Sequence, residues 1–230
     1  MLNNATARAV ASRIFQVLFI RRHNPGGTLL TFAEIPKKEV QIHVAGLKDE
    51  GAEAVITPVE FRLEDGVVKS LSRNISWFRD RGYGEVGPDG HLTLSPVEAL
   101  YLLRAGRITV STSEGRILGF EELLNIQSSR LPNLWRDYVI YMDLRDRRYV
   151  VKEGFSPHLR FRVFERGTYP EAAAKYVIIP VYEGDDMAVE DLLEHIRACR
   201  AMNKTPVVAV VDRRNEIVYY TVSIVNLVNL

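Results

Sequence analysis

The chain has 230 residues, 47% of them hydrophobic and 26% charged, a composition that belongs to folded globular proteins and excludes global disorder. A formal net charge of +1 excludes a strongly basic nucleic-acid binder, so any RNA surface has to be a local patch. The one cysteine, Cys199, rules out an internal disulfide or a cysteine-rich metal site and reads as a buried core thiol; with the short apolar run Val17–Ile20, and no leader pattern in the first residues, it suits a cytoplasmic protein.

Residues 1–24 place Val10, Ile14, Val17 and Leu18 at helical spacing, which predicts a short helix or a partly ordered arm ending at Asn24-Pro25-Gly26-Gly27. Alternation predicts strands over Glu39–Leu47 and Ala54–Leu63, with Asp65-Gly66 turning the second into Val67-Val68. A short helix is expected over Ser72–Arg81, stopped by Gly82, then a turn at Gly87-Pro88-Asp89-Gly90 and a strand at His91–Leu94. Ser95-Pro96-Val97-Glu98 sets a capping serine, a first-turn proline and a glutamate three residues on, so a helix starts here and Gly106 ends it.

Ile108–Val110 reads as a strand, Phe120–Ile126 as a helical turn or two, and Pro132 as a break near which a second domain begins. A helix follows over Trp135–Arg147, then strands at Tyr149–Val151, Phe161–Phe164 and Tyr176–Val181. A helix from about Ala188 to Met202 and strands at Thr205–Val211 and Ile217–Val225 complete the chain. The order predicts α/β (α+β mixed) architecture: an extension over 1–50, a small α/β domain over 51–130 and a compact domain with a mixed central sheet over 131–230.

Four ordered blocks carry a resemblance. Leu94 to Leu103 is similar to the signature helix in the amino-terminal domain of archaeal tRNA-splicing endonucleases, and Leu144 to Phe155 resembles their "LRxRGYxVKxGF" block. Phe161 to Gly167 resembles "FRxYERG", and Val207 to Asp212 with Ile217 to Tyr220 resembles the final strands. Residues 1 to about 50 carry no such likeness. Arg148 stands where the "RGYxVK" block has glycine, so a positive φ at that glycine implies an altered turn here.

The resemblance implies metal-independent, cofactor-free cleavage of precursor tRNA, leaving a 2′,3′-cyclic phosphate and a 5′-hydroxyl. Such cleavage requires one group to take the 2′-hydroxyl proton, one to protonate the leaving oxygen, and a cation at the phosphate. The family assigns these to a tyrosine, a histidine and a lysine. The matching positions here are Phe164, which has no hydroxyl, Ala173, which has no titratable group, and Lys204, which is retained. The expectation is therefore a degenerate site with no catalytic residue of its own.

Arg197, with Arg200 and Lys204, matches a place where the family grips a nucleotide; the same three also read as the solvent-facing charges of an amphipathic helix. The mixed-sign set from Asp143 to Arg166 reads as a solvated or subunit-facing surface as well as a phosphate track. The apolar tail carrying Tyr219, Tyr220, Val222 and Ile224 is expected to pair with a partner chain's tail, an internal core strand being the other reading. Asp212 and Glu216 bracket a loop similar to the family's docking loop, with Arg213 and Arg214 diluting its acidity.

The reading that follows is a structural, non-catalytic subunit in a hetero-oligomer with two copies of each chain, positioning catalytic partners on the bulge-helix-bulge junctions of precursor tRNA. Two rivals stand beside it: an active nuclease with a rearranged site that uses Lys204 with His158 or His195, and an RNA-binding protein that has left tRNA splicing.

Overall fold

The computed structural model describes strand β1 (Thr28–Glu34) and residues 57–226. The expected helix or arm of residues 1–24 and the expected strand Glu39–Leu47 lie outside the described residues. The chain divides into two compact units, residues 41–152 with 166–172, and residues 1–40 with 153–165 and 173–230.

In the first unit, β2 (Val59–Glu64) and β3 (Val67–Ser70) form an antiparallel hairpin. Its turn residues Asp65 and Gly66 have φ of 50° and 85°, the left-handed pair that an Asp-Gly turn supplies at low cost. Around it the sheet runs β4 (Glu85–Val86), β5 (Leu92–Leu94), β3, β2, β6 (Ile108–Thr112), β7 (Ile117–Leu118). The helices are α1 (Ser76–Asp80), α2 (Pro96–Arg104), α3 (Phe120–Ser128) and α4 (Leu134–Asp146).

The start of α2 follows from its sequence. Pro96 stands in the first turn, the Ser95 amide donates to Glu98 Oε2 at 2.9 Å, and the Gly84 amide donates to Oε1 at 3.1 Å. Helix α4, which follows Pro132, packs on the helices before it. Tyr141 of α4 meets Tyr101 of α2 edge-on at 5.8 Å, and Tyr138 meets Phe120 of α3 at 5.4 Å. Both tyrosines are fully buried with Phe61, Leu100 and Ile140, and each such side chain contributes about 1.5–3 kcal/mol of burial.

At the end of α4 the Arg148 amide donates to the Arg145 carbonyl at 2.8 Å and the Tyr149 amide to the Leu144 carbonyl at 3.1 Å, the paired bonds of a left-handed helix stop. Arg148 itself has a φ of 65°. The turn has therefore kept its left-handed shape with an arginine in it, rather than changing as the missing glycine implied. A side chain with a Cβ is disfavoured there by about 1–2 kcal/mol. Arg148→Gly is accordingly expected to stabilise the protein by up to ~1 kcal/mol once the extra freedom of the unfolded glycine is subtracted, checked by urea unfolding.

The second unit is built on a sheet of order β1, β12 (Ile217–Asn226), β11 (Thr205–Val211), β10 (Tyr176–Tyr182), β9 (Phe161–Val163), with β8 (Val151–Glu153), whose last residue opens this unit, at the far edge. Strands β10 and β11 are parallel, joined through α5 (Val189–Ala201). Leu192, Ile196 and Cys199 of α5 bury against Val177, Ile179, Val208, Val210 and Val222. Burial pushes the Cys199 thiol up to about 11, so it stays protonated and packs as a small apolar group.

Two features bear on the expected role of the tail. The edge of β12 opposite β11 is taken by the chain's own β1, with Thr28 opposite Asn226 and Glu34 opposite Tyr220, so that edge is not open for a partner's strand. Strand alternation also sends Val222 into the α5 core, with Tyr220 and Ile224 packed against it, while Tyr219 is buried at 6% exposure. All four thus contribute to the chain's own packing, the second of the two readings given for this strand.

Candidate functional site

The register of three strands brings the three positions expected to be degenerate to one end of a sheet. Tyr176 of β10 lies opposite Val163 of β9 on one side and Thr205 of β11 on the other. Phe164 follows Val163, Lys204 precedes Thr205, and the segment Ala173–Lys175 leads into Tyr176, so all three meet at one end of the sheet. Backbone bonds fix the convergence: the Lys175 amide donates to the Val163 carbonyl at 3.0 Å and the Thr205 amide to the Lys175 carbonyl at 2.9 Å.

Lys204 is delivered there by the end of α5. Asn203 takes a φ of 55°, its amide donates to Arg200 at 2.9 Å, and the Lys204 amide donates to Cys199 at 2.9 Å. Asparagine tolerates this left-handed stop, which turns the chain sharply from helix into β11. The Lys204 ammonium then donates to the Ala174 carbonyl at 2.5 Å. A lysine ammonium has three donors, so two remain to meet a phosphate.

Its neighbours lack what proton transfer needs. Phe164 presents a half-buried ring without a hydroxyl, and Ala173 an exposed methyl group. Two titratable groups do stand close by, and the sequence reading missed them. Glu165, next to Phe164, and Lys175, next to Ala174, form an exposed ion pair at 2.7 Å. The Glu165 carboxylate holds the Lys175 ammonium above its usual value, so Lys175 is protonated at neutral pH and has no base to offer. The alternation of signs in the Glu165 and Lys175 segments was the available signal; only the strand register shows that they meet.

Arg197 and Arg200 are exposed on the last turns of α5, and Arg200 lies in its basic final turn. In the loop between β11 and β12, Asp212 Oδ1 accepts the amides of Arg214 and Glu216, both at 2.8 Å, so this carboxylate shapes its own turn. Arg213 lies 3.5 Å from Glu183, and Glu216 is exposed.

The two histidines proposed for a rearranged site stack on each other, centroids 5.0 Å apart and planes 22° from parallel. His195 Nδ1 is buried with no hydrogen-bond partner among the described residues. Burial first, and the His158 ring second, hold His195 below its ordinary value, against Asp191 and Glu194. With a lowered folded pKa, its contribution to stability is present above the ordinary value of about 6.5 and is lost as pH falls through the lowered one. The melting midpoint should thus decline from about pH 7 to 5, and His195→Leu should flatten that decline; identical slopes in thermal melts would count against it.

Among the described residues no helix is long and apolar enough to cross a membrane, and no group of three or more His, Cys, Asp or Glu is placed to hold a metal ion. Residues 59–124 match the family model of the tRNA intron endonuclease N-terminal domain, and residues 134–219 match that of the catalytic C-terminal domain. The tRNA-splicing endonuclease of Thermococcus onnurineus is 35% identical over 167 residues, which span 72% of this chain and 95% of that protein. That of Pyrococcus abyssi is 32% identical over 166 residues, 71% of this chain and 95% of its own length. A third, from Methanococcus vannielii, is 32% identical over 153 residues, or 66% and 86%.

Proposed function

Because this chain belongs to the tRNA-splicing endonuclease family, we propose that it is a structural, non-catalytic subunit of such an enzyme, working beside a catalytic chain. The observation that carries this reading is the make-up of the site at Tyr176. The backbone brings the three family positions to one place, yet Phe164 and Ala173 offer no exchangeable proton and Lys204 is engaged with the Ala174 carbonyl. A cation alone polarises a phosphate without moving the two protons that cleavage requires.

The subunit's contribution is then geometric. It holds two catalytic partners at the separation set by the bulge-helix-bulge, in a cytoplasmic hetero-oligomer with two copies of each chain, because RNA of this kind is read through shape and displayed nucleotides. Division of the chain into an extension over 1–50, an amino-terminal domain over 51–130 and a degenerate nuclease domain over 131–230 belongs to the same reading. Docking falls to the exposed loop Asp212–Glu216, and the exposed Arg197 and Arg200, with Lys204, meet the RNA. Tyr219, Tyr220, Val222 and Ile224 support the interface from within the sheet.

The test is copurification with a candidate catalytic chain, followed by cleavage of intron-containing precursor tRNA by each chain alone and by the mixture. The expected result is no cutting by this chain alone, a stable complex, and cutting by the mixture. Cutting by the isolated chain would overturn the reading.

A further inference from the structure

Outside this site, the first unit carries a layered arrangement of rings and cations that core packing does not account for. Trp77 of α1 is half-buried and lies parallel to Tyr83, planes 6° apart and centroids 5.9 Å apart. Tyr83 is held from another side by the buried Arg145, whose guanidinium is 3.6 Å from the ring centroid. Arg145 also donates to the Arg81 carbonyl at 3.1 Å and to the Tyr149 carbonyl at 3.3 Å, which ties the short helix to α4 and fixes the indole in place.

Over the same indole stand two guanidiniums, Arg81 at 4.4 Å and Arg107 at 5.3 Å from the ring centroid. Neither is ion-paired among the described residues; the neighbouring carboxylate, Asp80, lies 3.8 Å from Arg79. One cation over the indole would serve stability. A second adds like charge that no carboxylate among the described residues pairs with, and an anion would relieve it.

We propose that Trp77, Arg81 and Arg107 form a binding site for single-stranded RNA, with a base stacking on the indole or on the Arg81 guanidinium and a phosphate between the two arginines. The magnitudes favour exchange: an exposed cation–π contact is weaker than the stacking of a base on an aromatic side chain, so the exposed Arg81 swings aside when a base arrives. Unpaired nucleotides fit this site and a duplex does not, because bases in a duplex already have their faces covered. The inference takes RNA as the ligand class from the family, and it holds whether or not this chain cuts RNA.

The test uses the full chain carrying Trp135→Phe, which leaves Trp77 as the sole indole of the two in the sequence. Titration with an oligouridylate of about twelve nucleotides should quench its fluorescence saturably, and less so as salt is raised. Arg81 is exposed and Arg107 half-buried; the double variant R81E/R107E, measured at a temperature where its melting curve shows it folded, should bind labelled oligouridylate at least ~10-fold more weakly than the parent. W77A should show a similar loss. Absence of binding by the parent chain, binding without quenching, or equal affinity in R81E/R107E would each overturn the proposal. So would a variant that keeps RNA affinity and loses a protein partner. None of these outcomes depends on whether the isolated chain cleaves precursor tRNA.

Discussion

Replacing Phe164 by tyrosine and Ala173 by histidine in the same chain is expected to raise its cleavage of intron-containing precursor tRNA by roughly 10²-fold or more, because each restored proton transfer is worth about 10²–10⁴ in rate. The pairing of Tyr176 with Val163 and Thr205 already brings both positions to the end of the sheet that carries Lys204, so the substitutions supply the missing side-chain chemistry there. Each substitution alone should stay near background, since one of the two proton transfers is still missing. The measurement belongs in a complex whose catalytic partner has been inactivated, scoring 2′,3′-cyclic phosphate and 5′-hydroxyl ends. A folded double variant with no gain would mean that loss of the two groups is not what silences the site.

What the sequence made legible was mainly what local chemistry decides. Ser95-Pro96-Val97-Glu98 specified the start of α2, and Asp65-Gly66 specified the left-handed turn between β2 and β3. The α/β order followed from periodicity. Pairing at long range was not legible. Thr28–Glu34 was not read as a strand because its partner lies at the other end of the chain, on Tyr220–Asn226.

The role of the tail was left with two readings for a related reason. Alternation in β12 says which side chains share a face, but not whether α5 or a second chain covers it; the α5 core does so at Val222. Lys204 stood out in the sequence, while its bond to the Ala174 carbonyl depends on strand register that no spacing reveals. At Arg148 the substitution suggested a new turn, whereas two backbone bonds to the end of α4 hold the old one with an arginine in it.

Glu98→Ala is expected to lower stability by about 3 kcal/mol, the lower end of the cost of breaking a buried, hydrogen-bonded charge site. Glu98 is 4% exposed, accepts the Ser95 and Gly84 amides, and has the Lys152 ammonium 4.0 Å away. Lys152 also donates to the Gly84 carbonyl, so removing the carboxylate leaves two amides without their acceptor and loosens the loop they share. Burial, opposed by Lys152 and the two amides, holds Glu98 above the usual carboxylate value. A raised folded pKa means that its stabilisation is fullest below the ordinary value and declines as pH rises through the raised one. Glu98→Gln keeps a neutral acceptor at every pH and should therefore lose less than alanine, with its deficit against the parent shrinking from about pH 4.5 to 7. Urea unfolding of the three proteins at both ends of that range checks the order; an alanine variant as stable as the parent would show that the carboxylate does not hold α2 to the Gly84 loop.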